Sequence, residues 1–416
     1  MTPQIHPNEI RVGWTFILAA AVGVGTSAVA LPFYTVGVFV PSLAADMGWS
    51  RSAIQGALMF SIGLGALMAP FLGSMVDRYG SRRIALPSIV GLALAFFLAA
   101  AMGPSLVMFY GVYALMAVLG VGTTPTTWSR AVARRFHAQR GLALGFTLTG
   151  TGVCAMLAPL YVAWLMERFH WRAAYVGLGL VLLLLTWPLV FFFLKEAPET
   201  EAAAISSPAQ DGLTLAAALR TRQFWVLITS IACAYLAAAA LIANLVPALT
   251  DQGFDLSTAA FIQSVIGATI IIGRLVVGYL IDYFWAPGVA AVSLTLPIIA
   301  CVIFQGEPTY VMAVAGAACI GFATGAEFDL MAFLTARYFG VRHFGKIYAV
   351  YFAMFSLTSG MAPLLFARLQ EHLASYATGF AVAGGLFALA AVTILAMGSY
   401  PNTGVVPART PAPFKS

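Results

Sequence analysis

The stretch GSMVDRYGSRR (Gly73–Arg83) runs directly into IALPSIVGLALAFFLAAAMG (Ile84–Gly103). The second piece carries no charged residue over twenty positions. At about 1.5 Å per residue, a helix of that length crosses the roughly 30 Å hydrocarbon layer of a bilayer. A short basic loop abutting an uncharged apolar run is the pattern of a membrane chain, whose Lys and Arg stay on one side. The rest of the sequence agrees: of 416 residues, 61% are hydrophobic and 9% charged, with a mean hydropathy of +0.92. Soluble chains carry about 25% charged residues. A backbone in lipid must satisfy its own hydrogen bonds, which leaves helices or a closed barrel. Barrel strands alternate apolar and polar residues, and these runs do not, so the expected class is an all-α membrane protein.

Twelve apolar runs reach spanning length: Trp14–Val40, Ala53–Val76, Ile84–Gly103, Ser105–Trp128, Gly141–Ala163, Ala173–Leu194, Phe224–Leu249, Thr258–Ile281, Pro287–Phe304, Pro308–Ala336, Gly345–Phe366 and Tyr376–Gly398. They are called spans one to twelve. The first is too long for the apolar region of a cleaved signal and is taken as a span. The stretch after Leu194 (EAPETEAAAISSPAQDG) is too poor in bulky apolar residues to build a core and is expected to be a flexible linker. The domains expected are therefore a six-helix bundle at 1–194, a linker at 195–223, a second bundle at 224–400 and a tail at 401–416.

Charge orients the spans. With the N-terminus inside, the inner segments hold Arg11, Arg78, Arg82, Arg83, Arg130, Arg134, Arg135, Arg140, Lys195, Arg220, Arg222, Arg337, Arg342, Lys346, Arg409 and Lys415. The outer loops hold Arg51, Arg168, Arg172 and Arg368. Both termini are therefore expected in the cytoplasm. The net charge of +6 is topogenic and no nucleic-acid footprint. Cys154, Cys233, Cys301 and Cys319 lie in apolar runs and read as small core residues, with no disulfide framework or metal site. No cofactor and no catalytic residue is expected.

The halves echo each other. Ala133-Arg134-Arg135-Phe136 answers Ala336-Arg337-Tyr338-Phe339, Ala158-Pro159 answers Ala362-Pro363, and Gly73-x-x-x-Asp77 answers Gly278-x-x-x-Asp282. The offsets all fall between 203 and 205 residues. Two parallel six-helix repeats with a site between them is a transporter plan. The loop Gly73-x-x-x-Asp77-Arg78-x-Gly80-x-Arg82-Arg83 resembles the signature between spans two and three of the major facilitator superfamily. That resemblance implies the major facilitator fold, alternating access, and a conformational latch at this loop. Gly73 is expected to let helices approach closely, and Asp77 to meet a helix N-terminus or an arginine. Gly80 is expected to make the tight turn.

A charge at mid-bilayer costs about 2.5–3.5 kcal/mol on insertion scales, so such residues usually serve a function. Three stand well inside spans: Arg274 in span eight, and Glu327 and Asp329 in span ten. Arg274, Gly278 and Asp282 recur every fourth residue and share a helix face. The planar guanidinium suits a carboxylate; the alternative is a structural ion pair with Glu327 or Asp329. These two acids are about 200° apart on the helix and face different ways. A carboxyl in a low-dielectric site can carry a proton, so Glu327, Asp329 and Asp282 are the candidates for coupling or gating. Asn244, Tyr34, Tyr351 and Thr124 are candidate ligand contacts. For each, the alternative is a bond to its own helix or a place at the interface.

The words Asn244-Leu-Val-Pro247-x-x-x-Asp251-x-Gly253 and Gly273-Arg274-x-x-x-Gly278 resemble the monocarboxylate transporter family, including the bacterial oxalate/formate exchangers. Gly325-Ala326-Glu327-Phe328-Asp329 with Arg337-Tyr338-Phe339-Gly340, Asp46-Met-Gly48-Trp49-Ser50-Arg51 and Arg140-Gly141 are similar to its bacterial members. The resemblance implies transport of a small carboxylate in the bacterial inner membrane, coupled to protons or to exchange, with Arg274 matching the carboxylate-binding arginine. It also implies a monomer. Two family features are replaced: the acid one turn before the arginine is Ile270, and the lysine after the span-one proline is Phe33. With one basic residue in the core, a monoanion is favoured over a dianion. Importing it into a negative interior costs about 2.3 kcal/mol per 100 mV, which calls for a cotransported proton or an exchanged anion. The rival reading is a proton-coupled drug or metabolite exporter.

Overall fold

The computed structural model describes residues 9–136, 139–194, 212–340, 342–373 and 375–400. Each expected span is found as a helical unit. Among the described residues, eleven helices are long and apolar enough to cross a membrane, and the twelfth unit is shorter, with Leu106–Leu119 as its apolar helix. The second half holds six unbroken helices: Arg222–Asp251, Leu256–Tyr283, Ala286–Gln305, Tyr310–Phe339, Phe344–Leu373 and Tyr376–Leu395. Side-chain oxygens of Thr221, Asp255, Thr309 and Ser375 accept backbone N–H bonds at four of their starts, satisfying donors no helix can pair internally.

The first half departs from the expectation of single helices. Span one is two helices, Glu9–Gly25 and Ala30–Met47. Pro32 has no N–H for the Ala28 carbonyl, so it sits in the first turn of a new helix rather than inside an old one. The break at Thr26–Val29 is held by side chains: Thr123 Oγ1 accepts from the Ala28 N–H, and Ser27 Oγ from the Ala30 N–H. Span four is likewise Leu106–Leu119 and Pro125–Arg135, joined by a single tight turn. Pro125 opens the second piece, and Thr124 before it is extended, as a residue preceding proline prefers. The two breaks meet, with Gly120 against Ala28. Spans two and six each carry a π-helical turn, Met59–Gly63 and Leu182–Thr186.

The expected linker at 195–223 lies mostly outside the described residues. Residues 195–211 and the tail 401–416 lie outside the described residues. Beyond Gly212, Leu213 donates to the Phe339 carbonyl, and Leu215–Ala218 forms a short helix capped by Thr214.

Within the second half, span eight packs on ten, nine on twelve and seven on eleven; in the first, one packs on five and three on six. The halves meet where span five packs on eight, two on eleven and one on seven. Glycines permit these crossings. A Cβ on Gly152 or Gly267 would collide with the opposite helix across the five–eight seam, and one on Gly37 with the Ala243 carbonyl.

Candidate functional site

Spans eight and ten approach backbone to backbone. A Cβ on Gly273 would lie 2.1 Å from the Phe322 carbonyl oxygen, one on Gly321 2.3 Å from that of Ile266, and one on Gly325 2.1 Å from that of Ile270. Only glycine fits at these places, and the Gly321-x-x-x-Gly325 spacing puts two on one helix face. This seam sets the arginine beside the acids. Arg274 is 8% exposed, and its Nε lies 3.1 Å from Asp329 Oδ2, whose side chain is 32% exposed. The pair is a charge contact: neither Nε nor Nη1 of Arg274 completes an aligned hydrogen bond to a described residue. Nη1 is a buried guanidinium donor without an acceptor among the described residues, which costs about 1–3 kcal/mol in a protein interior, and beside Nε it forms a ready receptor for an oxyanion.

Glu327, two residues from Asp329, turns away from this pair as the helical angle requires. It is 8% exposed, and both carboxylate oxygens lack a hydrogen bond to a described residue. It lines a cleft inside the second half together with Tyr235, Ser230 and Ser293. Three tyrosines ring the acids and the arginine. Tyr34 of span one lies in electrostatic range of Arg274 and Glu327, Tyr235 of span seven in range of Glu327, Arg274 and Asp329, and Tyr348 of span eleven in range of Asp329 and Arg274. Residues from both halves therefore converge on one locus.

Of the other expected contacts, the structure brings few here. Asn244 is buried and fully engaged: its amide donates to the Ala240 and Pro363 carbonyls, and its oxygen accepts from Gln55 Nε2 at 3.2 Å. It is a seam residue, not a ligand-facing one. Tyr351 is wholly buried against Phe224 and Phe339, away from Arg274. Thr124 starts the second piece of span four, and its Oγ1 makes no hydrogen bond to a described residue. Asp282 is exposed at the end of span eight, two turns past Arg274, and does not join the locus.

The signature loop is formed as its residues suggest in part. Gly80 has a φ of 85° between two helices, which only glycine adopts without strain. Arg82 donates to the Phe191 carbonyl at 2.6 Å and lies over the Phe191 ring, tying the loop to span six of its own half. Arg78 lies over Tyr79, and Arg83 is exposed. Gly73 does not serve a close helix approach here, since a Cβ there would meet nothing within 4 Å. The Asp77 side chain falls outside the described set.

A further cluster has no counterpart among the residues expected to act. On the side opposite the signature loop, Arg51 makes a two-pronged ion pair with Asp251 and donates to Tyr376 Oη at 2.6 Å. The Ser52 backbone and hydroxyl both donate to Glu371, at 2.8 and 2.7 Å. Deeper, Gln55 Nε2 donates to the Ala243 carbonyl and Gln263 Nε2 to the Tyr34 carbonyl, each at 2.9 Å. Each bond joins one half to the other, so the halves are clasped on this side. Polar residues at loop edges gave a weak signal, because nothing local shows what they will meet some 190 to 320 residues away.

Two repeated six-helix halves around a charged mid-membrane locus define a polytopic membrane transporter. The sequence matches the family profile described as Major Facilitator Superfamily over residues 22–363, and the chain belongs to that superfamily. Relatives include the uncharacterized MFS-type transporter YhjX of Escherichia coli (strain K12), 24% identical over 86% of this chain and 88% of its own. Monocarboxylate transporter 13 of Rattus norvegicus is 25% identical over 95% of this chain and 91% of its own. The fold also matches the crystal structure of a bacterial homolog to the human lysosomal transporter Spinster, in an inward-facing and occupied conformation. That match has a TM-score of 0.70 at 16% identity and covers 94% of this chain and 97% of that one.

Proposed function

We propose that this protein is a secondary transporter that takes up a small organic acid carrying one carboxylate, by proton symport across a bacterial inner membrane. The observation that carries the reading is Arg274, buried with Nε against Asp329 and Nη1 unmet by described residues. A carboxylate matches those donors in shape and charge. Asp329 holds the guanidinium while no substrate is bound, and the anion competes with it. One arginine and one adjacent acid leave no second positive charge for a dianion. Glu327 is the proton carrier of this reading, because it is buried among apolar walls with no ion-pair partner among the described residues. The Arg51 and Glu371 clasp is the outer gate, closed here, if the basic side of the protein is cytoplasmic as the Lys and Arg distribution favours. The name of the rat relative supports the substrate class.

The test is uptake of a panel of labelled carboxylates into proteoliposomes under an inward proton gradient, with wild type beside Arg274→Ala. Gradient-driven uptake of a monocarboxylate, lost in the variant, is expected. Uptake of no acid, or uptake indifferent to Arg274, overturns the assignment. Flux that appears only with a trapped anion turns symport into exchange.

A further inference from the structure

Glu327 has two neighbourhoods. One is the locus between the halves, where Tyr34 of span one lies within electrostatic range of it. The other lies wholly inside the second half: a cleft of about 40 Å³ between spans seven, nine, ten and twelve. Its walls include Ser230 and Tyr235 of span seven, Ser293 of span nine, Leu334 of span ten and Ile394 of span twelve. The cleft has a direction. Leu334 lies two turns from Glu327 toward the basic side, and Ile394 stands at the last turn of its helix on that same side. The cleft therefore leads from the middle of the membrane toward the basic face without entering the space between the halves.

Size and chemistry suit it to water. A site needs about 10–15 Å³ and two to four polar partners for each molecule held. Ser230 Oγ donates to the Ala390 carbonyl and Ser293 Oγ to the Val289 carbonyl, both at 3.0 Å. Each hydroxyl oxygen thereby keeps its lone pairs for an incoming donor. With the two Glu327 oxygens, the serines give the cleft four acceptors, and Tyr235 is the other polar residue of its wall.

We propose that Glu327 exchanges its proton with the compartment on the basic side through this cleft, and not through the substrate path between the halves. The inference rests on the symport reading above. The protonated carboxyl passes its proton to a water in the cleft, leaving a carboxylate and a hydronium ion. That proton then passes to bulk water at the basic face, and the reverse transfer restores the acid. Separate routes let the proton leave whether or not the anion has left Arg274. A packing defect behind a purely structural acid makes no such separation.

The experiment fills the cleft and reads two fluxes in proteoliposomes with a monocarboxylate the wild type transports. Ser293→Leu occludes it, and Ser293→Ala removes the hydroxyl while keeping the space. Net uptake driven by a proton gradient is expected to fall at least tenfold in Ser293→Leu. Exchange of labelled for trapped unlabelled acid at equal pH stays within twofold of wild type, since the loaded carrier need not release its proton. Ser293→Ala retains most of both fluxes. Equal loss of both fluxes in Ser293→Leu, or loss of neither, overturns the separate route. Should Ser293→Leu fail to fold, Ser230→Leu fills the cleft from the facing helix with the same expectation. Wild type that exchanges the acid but shows no gradient-driven uptake overturns the symport reading, and this inference with it, before any variant is made.

Discussion

Replacing Gly325 by alanine tests how the site is built. The added Cβ would lie 2.1 Å from the Ile270 carbonyl oxygen, whereas ordinary contact begins at 3.4 Å. Spans eight and ten must part by the difference, about 1.3 Å (3.4 minus 2.1), because both colliding groups belong to helix backbones. Overpacking of this kind costs about 1–3 kcal/mol. If the same parting carries Asp329 from 3.1 Å to about 4.4 Å from Arg274, Coulomb attraction at an effective dielectric of 20 falls from about 5.4 to about 3.8 kcal/mol. The expectation is a lower unfolding temperature in detergent and roughly a tenfold gain in monocarboxylate affinity, since the anion competes with Asp329 for Arg274 and about 1.4 kcal/mol is a factor of ten. Gly278→Ala is the control. It is the same substitution one turn past Arg274, but its Cβ would meet nothing within 4 Å. Helix propensity alone makes that change neutral or stabilising by up to about 1 kcal/mol. Equal behaviour of the two variants would refute the glycine seam as the device that places the arginine.

Three further outcomes follow from the geometry. A double-mutant cycle on Arg51 and Asp251 is expected to give a coupling of only about 0.2–1 kcal/mol, because the pair is partly exposed; a thermal-shift cycle with a larger coupling contradicts the view that Gln55 and Asn244 hold the seam. Glu327→Gln preserves shape and removes the titrating group, so anion exchange is retained and gradient-driven uptake lost; concentrative uptake surviving the change excludes Glu327 as the carrier. At the start of span eight, hydrogen bonds from Ser257 and Thr258 hold the Asp255 carboxyl down to about 2, below its usual 3.8. The cap's contribution is therefore complete above pH 4 or so and is lost as pH falls through about 2. Asp255→Ala should lower stability by about 1 kcal/mol near neutral pH and leave transport intact, a difference that vanishes in strong acid.

The spans and their pairing into two halves were legible because lipid imposes length and apolarity on each crossing, and both survive in sequence. Arg274 was legible for the same reason, since a charge inside an apolar run needs a purpose. Its partner was not. Glu327 and Asp329 are equally acidic, and only the glycine-set rotation of span ten decides that Asp329 faces the arginine and Glu327 the inner cleft. Asn244 illustrates how a polar residue finds distant partners. Its polarity marked it as needing partners, but these came from Gln55 and Pro363, 189 and 119 residues away, and turned a candidate ligand into a seam. The breaks in spans one and four were signalled by Pro32 and Pro125, yet Ala28 and Thr123 meeting across 95 residues is a tertiary fact. Asp282 lies two turns of helix, about 12 Å, past the buried Arg274 and is exposed, which sets it apart from the site.

The most direct measurement is equilibrium binding of a labelled monocarboxylate and of its neutral amide to purified wild type, Arg274→Lys and Arg274→Ala. The account predicts that the acid binds and the amide does not, that lysine weakens binding at least tenfold by losing the planar fork, and that alanine abolishes it. Undiminished acid binding by Arg274→Ala would contradict the placement of the carboxylate at Arg274.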